Sequence, residues 1–205
     1  MARPWFDHFR FAAPFYDRLF AGGEPAVTML DALDLPADGW LLDAGGGTGR
    51  ISASLLDRVG GVVVTDASGA MLRQAREKGG LHPTLGHAEA LPFPAGAFAR
   101  ILVVDAFHHF YRHAEAASEL WRVLAPGGRL VILEPNIARW PVRLVALGEK
   151  LLLMRSRFFN AAALEALIGR QAGAQIRVDT TSAPYYIMLV ASKAAQPAGC
   201  EAGRS

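Results

Sequence analysis

Apolar and polar positions alternate along this chain in blocks that switch between two periods. Short apolar runs at 40–43, 62–66, 101–105 and 129–134 carry no polar alternation, so they predict strands buried on both faces. The segments between them repeat apolar residues at helical spacing. Residues 48–59 place Ile51, Leu55 and Val59 on one face and predict a helix. Residues 70–78 predict a second helix, closed by Gly79-Gly80, and 114–124 a third, ended by Pro126-Gly127-Gly128. A short strand is expected at 83–86 and a later helix at 161–169. The β-rich stretches 174–180 and 185–192 predict a closing antiparallel hairpin at a sheet edge. Strands alternating with helices make an α/β chain with a doubly wound, mostly parallel sheet of seven strands.

Composition narrows the setting. The 205 residues are 52% hydrophobic and 20% charged, with a net charge of +2, which suits one folded domain and argues against a nucleic-acid partner. Cys200 is the single cysteine, so neither an internal disulfide nor a thiolate metal cluster is expected, and a reducing cytoplasm is the simplest compartment. The first residues lack the apolar core of a signal peptide, and no apolar run reaches the ~20 residues of a membrane span. Residues 194–205 are expected to form a flexible tail.

The segment of densest chemistry is Leu41-Leu42-Asp43-Ala44-Gly45-Gly46-Gly47-Thr48-Gly49. It lies where an open α/β sheet binds ligands, past the carboxyl end of the first strand. Asp66 ends the second strand, where a carboxylate can accept both hydroxyls of an adenosine ribose. A dinucleotide fingerprint requires a third glycine where this chain has Arg50, and no Lys-Ser or Lys-Thr follows to make a phosphate-binding loop. The bland alternative is a glycine turn that only joins strand to helix.

Together with 63–68, Ala88-Glu89-Ala90-Leu91-Pro92-Phe93-Pro94 and the 119–128 stretch ending in Pro126-Gly127-Gly128, this loop resembles the class I S-adenosylmethionine-dependent methyltransferases. Within them the chain is most similar to the ubiquinone and menaquinone C-methyltransferase group. The resemblance implies a Rossmann-like methyltransferase domain over 1–193, with an N-terminal cap at 1–25, a cofactor core at 40–134 and a cap helix region at 138–160. It implies S-adenosylmethionine as cofactor. Asp43, Gly45 and Gly47 would hold its methionine end, Asp66 its ribose, and Ala67, Met71, Ala88 and Glu89 its adenine. Asp105 and Phe107 would lie near the transferred methyl. The chain departs from the family pattern at His87, Ala95 and Ala99.

Histidine is the natural proton acceptor near neutral pH, and His108 and His109 follow the fourth strand, 101–105, at the expected pocket mouth. Either could contact substrate or take a proton, or both could cap the next helix and fill space; His113 is a weaker candidate. Their spacing with His113 fits no common metal site, so no metal is expected. The aromatic stretch 5–20 resembles the family's substrate cover and offers Phe15 and Tyr16, the latter in a Tyr16-Asp17 pair. The leucine-rich stretch 140–159, with Arg143, Lys150, Arg155 and Arg157 and with Arg139 just before it, could pack as an ordinary helix, line an acceptor pocket or touch a membrane surface. The functional expectation is methyl transfer to a small apolar acceptor such as a quinol, phenol or lipid. The alternative is a non-catalytic module that binds S-adenosylmethionine. The post-strand sequence Asp105-Ala106-Phe107-His108 lacks the motif of nucleic-acid methyltransferases.

Overall fold

The computed structural model describes residues 27–151, 156–183 and 185–195. The expected N-terminal cap with Phe15 and Tyr16, and all but the first two tail residues, lie outside these. The elements run α1 (Val27–Leu33), β1 (Trp40–Ala44), a 3-10 turn (Ser52–Arg58), β2 (Gly61–Asp66), α2 (Gly69–Glu77), β3 (Leu81–Leu85) and β4 (Phe98–Val104). A second 3-10 turn (Phe107–His109) leads to α3 (His113–Val123), β5 (Leu124–Pro135), α4 (Trp140–Leu151), α5 (Ala161–Ile168), β6 (Ala174–Asp179) and β7 (Tyr186–Lys193).

The seven strands form one sheet in the order β3-β2-β1-β4-β5-β7-β6. The first five are parallel and β7 runs antiparallel to both its neighbours, which agrees with the expected edge hairpin. Successive strand residues enter opposite cores. Leu42, Ile101, Val103, Leu130 and Ile132 face one layer with Leu120 and Trp121 of α3 and Leu164 and Ile168 of α5. Leu41, Val62, Val64, Leu102 and Val131 face the other with Met29 and Leu33 of α1 and Leu72 of α2. That two-sided burial is why the strands read as unbroken apolar runs.

Three elements differ from the sequence expectation. Residues 48–59 do not form an α-helix. Gly49 takes a left-handed φ of +68°, and Ser54 Oγ donates to the Ile51 carbonyl at 2.7 Å, so only a 3-10 turn over Ser52–Arg58 forms. β3 begins at Leu81 and includes Pro83, which a sheet edge tolerates because a missing N–H there breaks no ladder. β5 begins at Leu124, so the Pro126-Gly127-Gly128 turn is absorbed as an irregularity where the β4–β5 register shifts. Helix α1 has no counterpart among the sequence-predicted elements, although Met29, Ala32 and Leu33 are spaced as one buried helical face.

Candidate active site

Strand order reverses direction at β1, whose neighbours are β2 and β4, and a cleft opens beyond the carboxyl ends of these strands. It encloses about 910 Å³, its open mouth included, and is lined by 43, 45–48, 50–51, 66–68, 71, 104–106, 109 and 110. A smaller adjoining hollow is bounded by 86–89 and shares Gly45, Asp66, Ala67, His109 and Phe110 with the first. Asp66 therefore stands at the junction of two compartments.

The glycine loop is folded around the site's carboxylates. The N–H groups of Gly45 and Gly46 both donate to the Thr65 carbonyl, at 2.8 and 3.1 Å, which pins the loop beside β2. A side chain on Gly46 would collide with the Asp43 carboxylate, and one on Gly45, at φ +75°, would lie 2.6 Å from Ala106 Cβ. Asp43 is buried and accepts the Ser52 hydroxyl. Asp66 Oδ2 accepts the Gly47 N–H at 3.0 Å and Oδ1 the Ser68 N–H at 2.7 Å, so both oxygens are held at fixed orientation.

Burial raises the Asp43 carboxyl to about 6, against the Ser52 hydrogen bond that lowers it. Burial also raises Asp105 to about 6, helped by the nearby Glu134 charge. Asp105 adopts a positive φ of +50°, unusual for a non-glycine residue, and its carboxylate lies 3.5 Å from the Tyr186 hydroxyl of β7. Three carboxylates, Asp43, Asp66 and Asp105, thus face one cleft, which favours a ligand carrying positive charge.

The second 3-10 turn is organised from a distance by Glu134, at the end of β5 and 1% exposed. Its Oε1 accepts the N–H groups of Ala106 at 2.9 Å and Phe107 at 2.7 Å. Its Oε2 accepts the His108 N–H at 3.3 Å and lies 2.6 Å from His108 Nδ1. His108 is consequently buried, with its ring stacked on Phe158 at 4.5 Å, and it does not line the cleft. His109 does line it, with Nδ1 3.0 Å from Ser156 Oγ.

Phe107 also departs from expectation. It is wholly buried and packs on Phe110 at 5.4 Å between ring centroids, and Phe110 forms the cleft wall in its place. His113 packs against Phe107 and Phe159, and burial lowers its pKa below the ordinary imidazole value. Ala67 and Met71 line the main cleft and Ala88 the adjoining hollow. Glu89 lines that hollow and also ties it to the rim, accepting the N–H groups of Tyr111 and Arg112 at 2.6 and 3.0 Å. The sequence reading missed Arg50 and Phe110 as cleft residues. In the sequence Arg50 stands out only as the residue in place of a third glycine, although a cation directly after a ligand-binding loop is itself a signal.

The chain is similar in sequence and fold to known methyltransferases. A methyltransferase domain family matches residues 42–132. The demethylmenaquinone methyltransferase of Thermus thermophilus is 41% identical over 135 residues, 60% of this chain and 61% of that protein. The ubiquinone/menaquinone biosynthesis C-methyltransferase of Citrobacter koseri is 36% identical over 104 residues, 46% of this chain and 41% of that protein. The chain therefore spans less than two thirds of either relative's length. The crystal structure of an S-adenosylmethionine-dependent methyltransferase from Aquifex aeolicus superposes with a TM-score of 0.70 at 19% identity, covering 92% of this chain and 99% of that one.

Proposed function

We propose that this chain, a member of the class I S-adenosylmethionine-dependent methyltransferases near their ubiquinone/menaquinone C-methyltransferase group, methylates a small apolar acceptor of quinol type. The observation that carries the reading is the cleft at the β1 switch point, with a fixed carboxylate at its junction and two more facing its interior. The donor set fits S-adenosylmethionine. Asp66 offers two oriented oxygens to a ribose diol, Asp43 and Asp105 offset a sulfonium and an ammonium charge, and Arg50 can meet a carboxylate.

When bound, the cofactor supplies a methyl group already activated on a cationic sulfur. What remains for the protein is alignment, exclusion of water and removal of one proton. Phe110 and Met71 supply apolar wall, and His109, held from behind by Ser156, presents an imidazole to the cleft. His109 would take up the ring proton of the acceptor, or its phenolic equivalent, that the incoming methyl group displaces.

The test is turnover of a demethylated quinol by the purified protein and by His109→Gln. Turnover by the parent is expected, with a fall of about 10²-fold in the variant while cofactor affinity stays within a few-fold. Saturable cofactor binding without turnover of quinols, phenols or lipids would instead leave a binding module. Equal turnover by His109→Gln would remove the proton-acceptor role.

A pH dependence follows from the two raised carboxyls. Asp43 and Asp105 are protonated below about 6 and ionised above it. A cationic ligand binds their ionised forms more tightly, so binding releases protons and affinity rises with pH through this range. Calorimetry should show S-adenosylmethionine binding about tenfold more tightly at pH 7 than at pH 5. The demethylated product, with a neutral sulfur, should gain less, and Asp105→Asn should flatten the difference.

A further inference from the structure

The helix α4 shows an apolar face to solvent. Trp140 is 72% exposed, Leu144 59% and Leu147 54%. Their spacing of four and three residues puts them on one side of the helix, while Val142 turns inward and is buried. Large apolar residues scattered singly on a surface need no explanation, but a contiguous stripe does.

Charge is distributed along the same segment in an unusual way. Five of the chain's 21 basic residues and one of its 19 acidic ones fall between positions 137 and 158. On a helix, Arg143 and Lys150 follow Arg139 at spacings of four and seven, which aligns all three positions along one flank of the apolar stripe. Arg139 and Arg143 are exposed. An apolar face bordered by a cationic edge, with a tryptophan at one end, matches the chemistry of an anionic lipid surface: side chains enter the acyl boundary and guanidinium groups meet phosphates. No described helix is long and apolar enough to cross a bilayer, so contact would be in the plane of the surface.

The excursion that carries α4 begins and ends beside the cleft. Asn136 and Phe159 pair as a parallel bridge at its base, the Arg157 N–H donates to the His108 carbonyl at 2.8 Å, and Ser156 reaches His109. We infer that α4 is a membrane-docking helix that seats the cleft against an anionic bilayer. An acceptor dissolved in that bilayer would then have a short path to the site. The docking rests on the surface of α4 and not on methyl transfer, so either reading can fail alone.

The test is flotation of the 205-residue chain, without cofactor, on vesicles of phosphatidylglycerol mixed with phosphatidylcholine and on phosphatidylcholine alone. Three proteins are compared: the parent, the Leu144→Ser/Leu147→Ser double variant and the Arg139→Glu/Arg143→Glu double variant. The parent is expected to float with the anionic vesicles at low salt and to be released by high salt. Each double variant should lose about tenfold in apparent affinity while keeping its melting temperature and its affinity for S-adenosylmethionine. Failure of the parent to float on anionic vesicles at low salt would overturn the inference. So would equal flotation of parent and variants. A parent that is dimeric in solution and becomes monomeric with Leu144→Ser/Leu147→Ser would assign the stripe to a second copy of the chain and overturn it equally.

Discussion

Asp66→Ala should abolish measurable S-adenosylmethionine binding, with a loss of at least about 100-fold in affinity by calorimetric titration. Hydrogen bonds to a charged acceptor contribute about 1.5–3 kcal/mol each, and a ribose diol would make two of them here. The same carboxylate already accepts the Gly47 and Ser68 N–H groups, so it fixes the glycine loop against the start of α2 as well as meeting the ligand. Loss of these two part-buried loop contacts should lower stability by about 3 kcal/mol, the low end for two hydrogen bonds to a charged acceptor. A variant that stays folded and still binds the cofactor within about tenfold would take the ribose role away from Asp66. Asp66→Asn separates the two effects: the amide oxygen can still serve one N–H, but the negative charge is gone.

Glu134→Ala is expected to lower stability by about 4 kcal/mol, about 1 kcal/mol for each of four buried hydrogen-bonding partners that lose their acceptor. It would leave the N–H groups of Ala106, Phe107 and His108 and the His108 ring nitrogen without their shared acceptor in a buried place. For a chain of this size the melting temperature should drop by about 10 °C. The milder Glu134→Gln should stay folded at room temperature and still lower turnover by about 10²-fold, because small misplacements of a reacting group carry a large penalty. Well above pH 6, where Asp105 is ionised in parent and variant alike, its effect should fall on the rate and not on cofactor affinity, since Glu134 does not line the cleft. A Gln variant with full turnover would show that the turn keeps its shape without the charge.

The sheet was readable because it is covered on both faces. When Leu41 and Leu42 enter opposite cores, both must be apolar, and the run announces itself. The glycine loop and Asp66 were readable because a sharp turn after one strand and an acid after the next are local signals. The turn after β4 was not. Which of Phe107, His108, His109 and Phe110 faces the cleft depends on how three backbone amides and one ring nitrogen satisfy a carboxylate some 26 residues later. Spacing within the turn carries no trace of that partner. The 48–59 segment misled for a related reason: its apolar spacing is helical, but Gly49 and the local hydroxyl contacts of Ser52 and Ser54 decide the backbone.

The position of β7 bears on how the chain is made. This strand lies between β5 and β6, and its pairing with β5 joins Arg129 to Ser192 and Pro135 to Tyr186 across a long stretch of sequence. Contacts so distant along the chain form slowly. During synthesis, β5 must wait with one edge open while α4, α5 and β6 are still emerging, and that edge carries Leu130 and Ile132, which end as fully buried residues. Tyr186 also brings its hydroxyl to Asp105, so this cleft residue gains that neighbour only when β7 docks. Nascent chains halted before this strand should therefore be the species that chaperones hold and that aggregate when released.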